Sequence, residues 1–183
     1  FASTAMTFLA AQADRIILGK LLSFQLLGIY NVALIFAELP KMVMMKIGNQ
    51  VIFPVISRQI DLPRRDLRQK ILRKRMLVLA VAIPLLAILV SFGDFLILAL
   101  YDRRYQDAAW MLPILALGIW PNLLTATMSP SLLAIGQPLY SAWGNLFKFC
   151  YMIIALPIGY SVLGVVGAVV VVACNDLPFY LVV

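Results

Sequence analysis

Long apolar stretches separated by short polar connectors run through this chain from end to end. A helix needs about 20 predominantly apolar residues to cross a bilayer. We predict six such transmembrane helices, at residues 1–20, 26–57, 76–101, 108–135, 139–160 and 163–183. The predicted fold class is therefore all-α, a polytopic membrane protein in which residues 1–183 form a single six-helix lobe.

The longest connector, at residues 58–75, holds eight of the 15 Lys and Arg residues against only two acids. Because basic residues in short loops stay on the cytoplasmic side of a membrane, we predict a cytoplasmic basic loop here. A short amphipathic helix lying on anionic lipid headgroups would fit its leucines. Two predicted spans precede the loop and four follow it, which places both ends of the chain in the cytoplasm. The eight bases are Arg58, Arg64, Arg65, Arg68, Lys70, Arg73, Lys74 and Arg75.

Composition supports a bilayer as the solvent, because 63% of the residues are hydrophobic and soluble domains are about half apolar. The net charge of +7 follows from the topology, and no basic face interleaved with aromatics accompanies it, so we predict no nucleic-acid partner. The chain has no His and no Gly-rich phosphate-binding loop. We expect no metal, no cofactor and no enzymatic activity.

Ionisable residues inside the predicted spans are the candidates for function, because charge in lipid is costly unless it meets a partner or water. Glu38 lies about 18 Å into its span, near the middle of a hydrocarbon core about 30 Å thick. Lys41 shares its helix face, and Lys148 lies at a similar depth in the fifth span. The candidate substrate or cavity residues are Asp14, Arg15, Glu38, Lys41, Asn122, Asn145, Lys148 and Asp176.

Two interpretations remain open for the deepest charges, Glu38, Lys41 and Lys148. They line a water-filled cavity, or they form purely structural ion pairs. Arg15 either joins such a cavity or extends its side chain outward to the membrane interface.

Four segments, taken in order, resemble one known family. They are QADRIILGKLLSFQLLGIYNVALIFAELP at 12–40, VIFPVISRQ at 51–59, LYDRRYQDAAWMLPILAL at 100–117 and LLAIGQP at 132–138. The ordered set resembles the oligosaccharide flippases, the polysaccharide-biosynthesis branch of the multidrug/oligosaccharidyl-lipid/polysaccharide exporter superfamily. Asp102 stands where the outer turn of this family usually has Gly.

The resemblance implies a two-lobe exporter with a central cavity, of which this chain looks like the C-terminal lobe. It implies alternating access that moves an undecaprenyl-pyrophosphate sugar across the bacterial cytoplasmic membrane during cell-surface polysaccharide biosynthesis. The implied partners are this lipid-linked oligosaccharide, membrane lipids, the missing N-terminal lobe of the same chain and the polysaccharide biosynthesis machinery. The alternatives are a drug/cation antiporter of the same superfamily, a membrane-embedded polysaccharide polymerase or ligase, and a non-transporting scaffold.

Overall fold

The computed structural model describes residues 2–47, 64–126 and 138–182, and these residues are helical apart from short turns. No strand occurs among them, which confirms the predicted all-α class. A short 3₁₀ helix, Arg103–Tyr105, joins the third helix to the fourth. The helices are α1 (Ala2–Leu21), α2 (Phe24–Ile47), α3 (Arg64–Leu100), α4 (Gln106–Gly118), α5 (Trp120–Ala126), α6 (Pro138–Ala173) and α7 (Asp176–Val182).

Four segments of the described chain are long and apolar enough to cross a membrane: Phe24–Lys46, Leu79–Leu100, Arg103–Thr125 and Trp143–Pro178. The predicted multi-pass membrane character is confirmed, whereas the predicted number of six spans is not. Helix α1 is long enough but is not one of these four segments. Its polar residues, among them Asp14 and Arg15, make its mean hydropathy too low.

Helix α3 has 37 residues and is about 55 Å long, which exceeds the hydrocarbon core of a bilayer. Its apolar part begins at Leu79, so the basic residues before it extend the same helix. The prediction of a loop is therefore wrong for residues 64–75, which are helical as part of α3 rather than as a separate short helix. Arg, Lys, Leu and Gln are good helix formers, and no breaker separates them from the span. Arg58 lies outside the described residues.

Helix α6 folds back on itself at Gly164, where φ is 60° and ψ is −139°. Glycine adopts this conformation without the steric penalty that a Cβ would bring. The Tyr151 hydroxyl donates a hydrogen bond to the Val171 carbonyl at 3.3 Å, so residues 20 positions apart lie side by side. Helix α6 is thus a hairpin with antiparallel arms at 138–163 and 165–173, and the turn falls where the sequence predicts a boundary between helices.

Helix α4 lies at the centre of the bundle, in contact with α2, α3 and α6. Bilayer lipid is as apolar as leucine, so membrane helices associate through close packing of small residues rather than through the hydrophobic effect. Outward-facing side chains such as Phe92, Phe95 and Val162 are exposed, as expected of a lipid-facing surface. Three of the six buried residues of α4 are alanines. The six are Ala108, Ala109, Met111, Leu112, Leu115 and Ala116.

Two helix breaks meet inside the bundle. Helix α4 ends at Gly118 and α5 begins at Trp120, while α6 ends at Ala173 and α7 begins at Asp176. A Cβ atom added to Gly118 would overlap the backbone of Ala173, at 2.7 Å from its carbonyl carbon. Helices α5 and α7 also pack against each other beyond the breaks. The absence of a side chain at Gly118 therefore allows two interrupted helices to touch backbone to backbone.

We expect Gly118→Leu to destabilise the protein, because the new side chain has to push the two breaks apart. Overpacking of this kind typically costs about 1–3 kcal/mol, which thermal unfolding of the detergent-solubilised full-length protein would detect. Gly28→Ala is the matched control, since a Cβ at Gly28 meets nothing within 4 Å. The control should be neutral or more stable by up to about 1 kcal/mol, the helix preference of Ala over Gly. Equal effects of the two substitutions would contradict the contact between the breaks.

Candidate functional site

A cavity of about 220 Å³ lies where α1, α2, the end of α4 and the α6–α7 junction approach one another. We call it the polar cavity, because side chains that carry charge or an amide line it within an otherwise apolar bundle. Its apolar wall includes Leu34, Leu115 and Ile119, and both helix breaks border it. The polar lining residues are Gln12, Asp14, Arg15, Glu38, Lys41, Lys148, Asn175 and Asp176.

Six of the eight candidates from the sequence line this one cavity, although they come from four different helices. The two asparagines, Asn122 and Asn145, do not border it. Asn122 lies in α5, where its backbone carbonyl accepts a hydrogen bond from the Thr125 hydroxyl at 3.0 Å. Asn145 is half-buried on the first arm of the α6 hairpin. Helix-to-helix contacts that no sequence pattern encodes decide which polar residues reach the cavity.

The neighbours Asp14 and Arg15 on α1 are in different environments, because successive helical residues point about 100° apart. The Asp14 side chain is buried, with 7% of its residue surface exposed, and it accepts a hydrogen bond from the fully buried Tyr30 hydroxyl at 2.8 Å. Arg15 is exposed, and its Nη1 atom donates to Gln12 Oε1 at 3.3 Å. The Tyr30 hydroxyl therefore fixes the Asp14 carboxylate between α1 and α2, while the Arg15 guanidinium remains exposed.

Glu38 and Lys41 form an ion pair within α2, with 2.9 Å between Lys41 Nζ and Glu38 Oε1. The two residues are one helical turn apart, so they share a helix face as their spacing in the sequence predicts. Each side chain keeps about a quarter of its surface exposed, at 26%. The pair therefore lies at the cavity wall in contact with open space and is not sealed in the core.

Lys148 and Asp176 form a second ion pair, with 2.5 Å between Lys148 Nζ and Asp176 Oδ1. This pair joins the first arm of the α6 hairpin to the first residue of α7, across the break after Ala173. Each side chain is only 15% exposed, so this is the more deeply placed of the two pairs. The open alternatives for the deep charges are thus not exclusive, since Glu38, Lys41 and Lys148 each line the cavity and each belong to an ion pair.

Three bases and three acids line the polar cavity, so its formal charge is zero. Pairing is uneven, however. Among the described residues, Arg15 is the one cation of the cavity with no carboxylate oxygen within 4.0 Å. Asn175 adds a polar atom, since its Oδ1 is buried without a hydrogen-bond partner in the described part of the chain. The cavity therefore offers free donor capacity at Arg15 and acceptor capacity at Asn175.

The reactive groups of the described lining residues are carboxylates, basic side chains and amides. In the described ranges, no group of three or more His, Cys, Asp or Glu residues is placed to hold a metal ion. Among the lining residues that the structure describes, no hydroxyl or thiol nucleophile lies beside a base. Recognition of a charged or hydrogen-bonding group is the chemistry that these side chains can perform.

Tyr30 and Asn175 belong to the site, although sequence reasoning does not single them out. Tyr30, the hydrogen-bond partner of Asp14, looks like an ordinary aromatic in an apolar stretch, and no local signal connects it to a residue 16 positions earlier. Asn175 precedes Asp176 directly. Two adjacent polar residues in an apolar stretch were a usable signal, because each is costly in lipid.

Comparison with known proteins places the chain in a family. A family model described as "Polysaccharide biosynthesis protein" matches residues 1–110, which is more than half of the chain. The chain is also 30% identical over 132 residues to the teichuronic acid biosynthesis protein TuaB of Bacillus subtilis (strain 168), a match that covers 70% of this chain. The matched part is 26% of the length of that relative. No solved structure matches the chain.

Helices α1 and α2, with the cavity residues Asp14, Arg15, Glu38 and Lys41, lie inside the matched region. The resemblance found in the sequence is confirmed at the level of the family. The chain belongs to the polysaccharide biosynthesis protein family, and its helices give it the character of a multi-pass membrane protein within that family.

Proposed function

We propose that this chain is one lobe of an exporter that moves a lipid-linked oligosaccharide across the bacterial cytoplasmic membrane. The observation that carries the proposal is the polar cavity, in which six ionisable side chains from four helices converge within an apolar bundle. Membership of a polysaccharide biosynthesis family supports a cargo of sugar chemistry. The proposed cargo is an undecaprenyl-pyrophosphate sugar, whose headgroup enters the cavity while its tail stays in lipid.

Arg15 is the proposed contact for the pyrophosphate. Its guanidinium carries five N–H donors in a planar fork that matches phosphate oxygens. One of these donors binds the neutral Gln12 amide, so the others can serve a ligand. Asp14 does not neutralise it through an ion pair, because the Asp14 carboxylate accepts the Tyr30 hydroxyl instead. The contact between α1 and α2 thus keeps the Asp14 carboxylate from forming an ion pair with the Arg15 guanidinium.

Lys41 and Lys148 take a second role in this proposal, as cations that a carboxylate holds until cargo arrives. Each has its ammonium in contact with an acid of the cavity, Glu38 or Asp176. A phosphate oxygen could compete for either ammonium, because charge-assisted hydrogen bonds to phosphate and to carboxylate are of similar strength. Lys41 is the better candidate for such an exchange, since its pair is more exposed than that of Lys148.

Charge balance supports ion coupling. The ionisable groups of the cavity sum to zero, so a multiply charged pyrophosphate would leave the loaded cavity strongly anionic. Uncompensated charge in a low-dielectric region is costly. Uptake of a cation or of protons on the cavity carboxylates would restore the balance, and this links cargo movement to an ion gradient or to the membrane potential. The chain has no phosphate-binding loop that would indicate an ATP-driven cycle.

An exporter of lipid-linked oligosaccharide is favoured over a drug/cation antiporter because each acid of the cavity already has a partner. A cationic drug calls for a carboxylate without a partner, whereas Glu38 and Asp176 are paired with lysines and Asp14 is buried against Tyr30. A polymerase or ligase would need a nucleophile beside a base, which the described lining of the cavity does not include. We therefore infer a non-enzymatic exporter, with the basic extension of α3 on the cytoplasmic side.

Substitution of Arg15 tests the proposed cargo contact. In the full-length protein, Arg15→Gln should lower export of the polysaccharide about 10- to 100-fold, since a charge-assisted hydrogen bond is worth about 1.5–3 kcal/mol. Arg15→Lys should retain part of the activity, because it keeps the charge and loses the planar fork. Cell-surface polysaccharide, normalised to the amount of protein in the membrane, is the measurement.

Lys20→Gln is the matched control for this experiment. It removes one positive charge from the same helix, at an exposed position that does not line the polar cavity. Its export should stay within about twofold of the wild type, as for a surface substitution away from structural features. If Arg15→Gln exports as well as Lys20→Gln, Arg15 does not bind the cargo.

Substitutions at the Lys148–Asp176 ion pair distinguish a role of the pair in stability from a role in transport. Removal of one partner, as in Lys148→Met, leaves a poorly solvated charge and should cost about 2 kcal/mol of stability, less than for a fully buried pair. The double variant Lys148→Met with Asp176→Leu should recover most of that stability. Thermal unfolding and export are measured side by side. If the double variant regains export together with stability, the pair serves only the fold; recovery of stability without export is the result that we predict.

A further inference from the structure

A second recess lies at the end of the bundle where α2 begins and the 3₁₀ helix leads into α4. Its volume is about 530 Å³, within the range of small-ligand sites, and it is lined by Phe24, Gln25, Gly28, Ile29, Arg104 and Tyr105. None of these residues borders the polar cavity. We call it the Gly28 recess, because a Cβ at Gly28 would meet nothing within 4 Å. The missing side chain at this position leaves the space open.

The Gly28 recess lies at the level of the membrane interface. Two of the four candidate spans begin beside it, at Phe24 and at Arg103, and a third ends at Leu100. Phe24 is 90% exposed, a position that suits an aromatic ring inserted among lipids at the interface. Lipid headgroup phosphates and the first carbons of the acyl chains occupy this depth.

Arg104 gives the recess its charge. It is exposed, and in the described part of the chain no carboxylate oxygen lies within 4.0 Å of its guanidinium, although Asp102 and Asp107 are close in sequence. Tyr105 is held beside it by a ring contact with Tyr101, with 4.9 Å between the ring centres. The recess therefore combines an unpaired planar cation, a phenol and the Gln25 amide with the apolar side chains of Phe24 and Ile29.

We propose that the Gly28 recess binds the headgroup of an anionic phospholipid of the surrounding leaflet, with its phosphate on Arg104. Charge complementarity favours this occupant, because a guanidinium pairs with phosphate oxygens through parallel N–H donors. In this proposal the apolar side chains of Phe24 and Ile29 contact the glycerol end of the acyl chains. The site is separate from the polar cavity, so it does not depend on the identity of the transported cargo.

Binding of lipid to the full-length protein in detergent, followed by native mass spectrometry, tests this site. The probes are phosphatidylglycerol and phosphatidylcholine with the same acyl chains. The wild type should retain phosphatidylglycerol more strongly, and Arg104→Gln should bind it roughly tenfold more weakly, the loss expected for one charge-assisted contact. Arg103→Gln is the matched control, since it removes the same charge from the adjacent exposed residue, which does not line the recess.

A second variant tests the recess independently of charge. Gly28→Leu should fill the open space and lower phosphatidylglycerol binding to a similar extent, with thermal stability unchanged because no neighbour lies within 4 Å of the added Cβ. Equal losses in Arg103→Gln and Arg104→Gln would show diffuse charge attraction and overturn the proposal. Full binding by Gly28→Leu would also overturn it, and so would displacement of the lipid by inorganic phosphate at low millimolar concentration.

Discussion

The cost of placing charge inside a membrane is the constraint on which this structure depends. Each ionisable group within an apolar helix has to find a partner, reach water or lose its charge. The described residues satisfy this requirement in three ways. Tyr30 holds Asp14 by a hydrogen bond, Glu38 and Lys41 neutralise each other within one helix, and Lys148 and Asp176 do so across the α6–α7 junction. Together these solutions bring the charges to one cavity.

Close backbone contact makes this arrangement possible. Helix association in lipid depends on close packing, and the alanines of α4 let it sit at the centre of the bundle. Because Gly118 has no side chain, the break after α4 contacts the break after α6 directly through the backbone. The break after Ala173 turns Asp176 toward Lys148 at the edge of the cavity. In transporters, interrupted helices commonly form the polar sites near the middle of the membrane, and this pair of breaks adjoins a polar site in the same manner.

The sequence predicts much of this and misses what depends on contacts between helices. Hydropathy predicts an all-α membrane protein, and the cost of charge in lipid identifies six of the residues that line the cavity, including Arg15 and Lys148. The shared face of Glu38 and Lys41 follows from helical geometry. The pairing of Lys148 with Asp176 does not, because 28 residues and a hairpin separate them.

Three further features do not follow from the sequence alone: the position of Asn122, the helix at residues 64–75 and the number of spans. Asn122 resembles the true lining residues in polarity and depth, yet it faces elsewhere in the short helix α5. The charge of residues 64–75 favours a loop, although these residues have good helix propensity and are helical as the first part of α3. The predicted count of six spans is not confirmed at α1, whose polar residues lower its mean hydropathy, whereas the turn at Gly164 falls at a predicted boundary between helices.

The central claim is that residues from four helices face one water-filled cavity, and the accessibility of single cysteines tests it most directly. In the full-length protein with every native cysteine replaced by serine, Cys150 and Cys174 included, a cysteine is placed at Leu34 or at its neighbour Ile35. Leu34 lines the polar cavity, whereas Ile35 does not line it and is exposed on the outer surface, where we expect lipid. A small water-soluble thiol reagent should modify the cysteine at position 34 much faster than the one at 35. Equal rates at the two positions, or faster reaction at 35, would contradict the cavity.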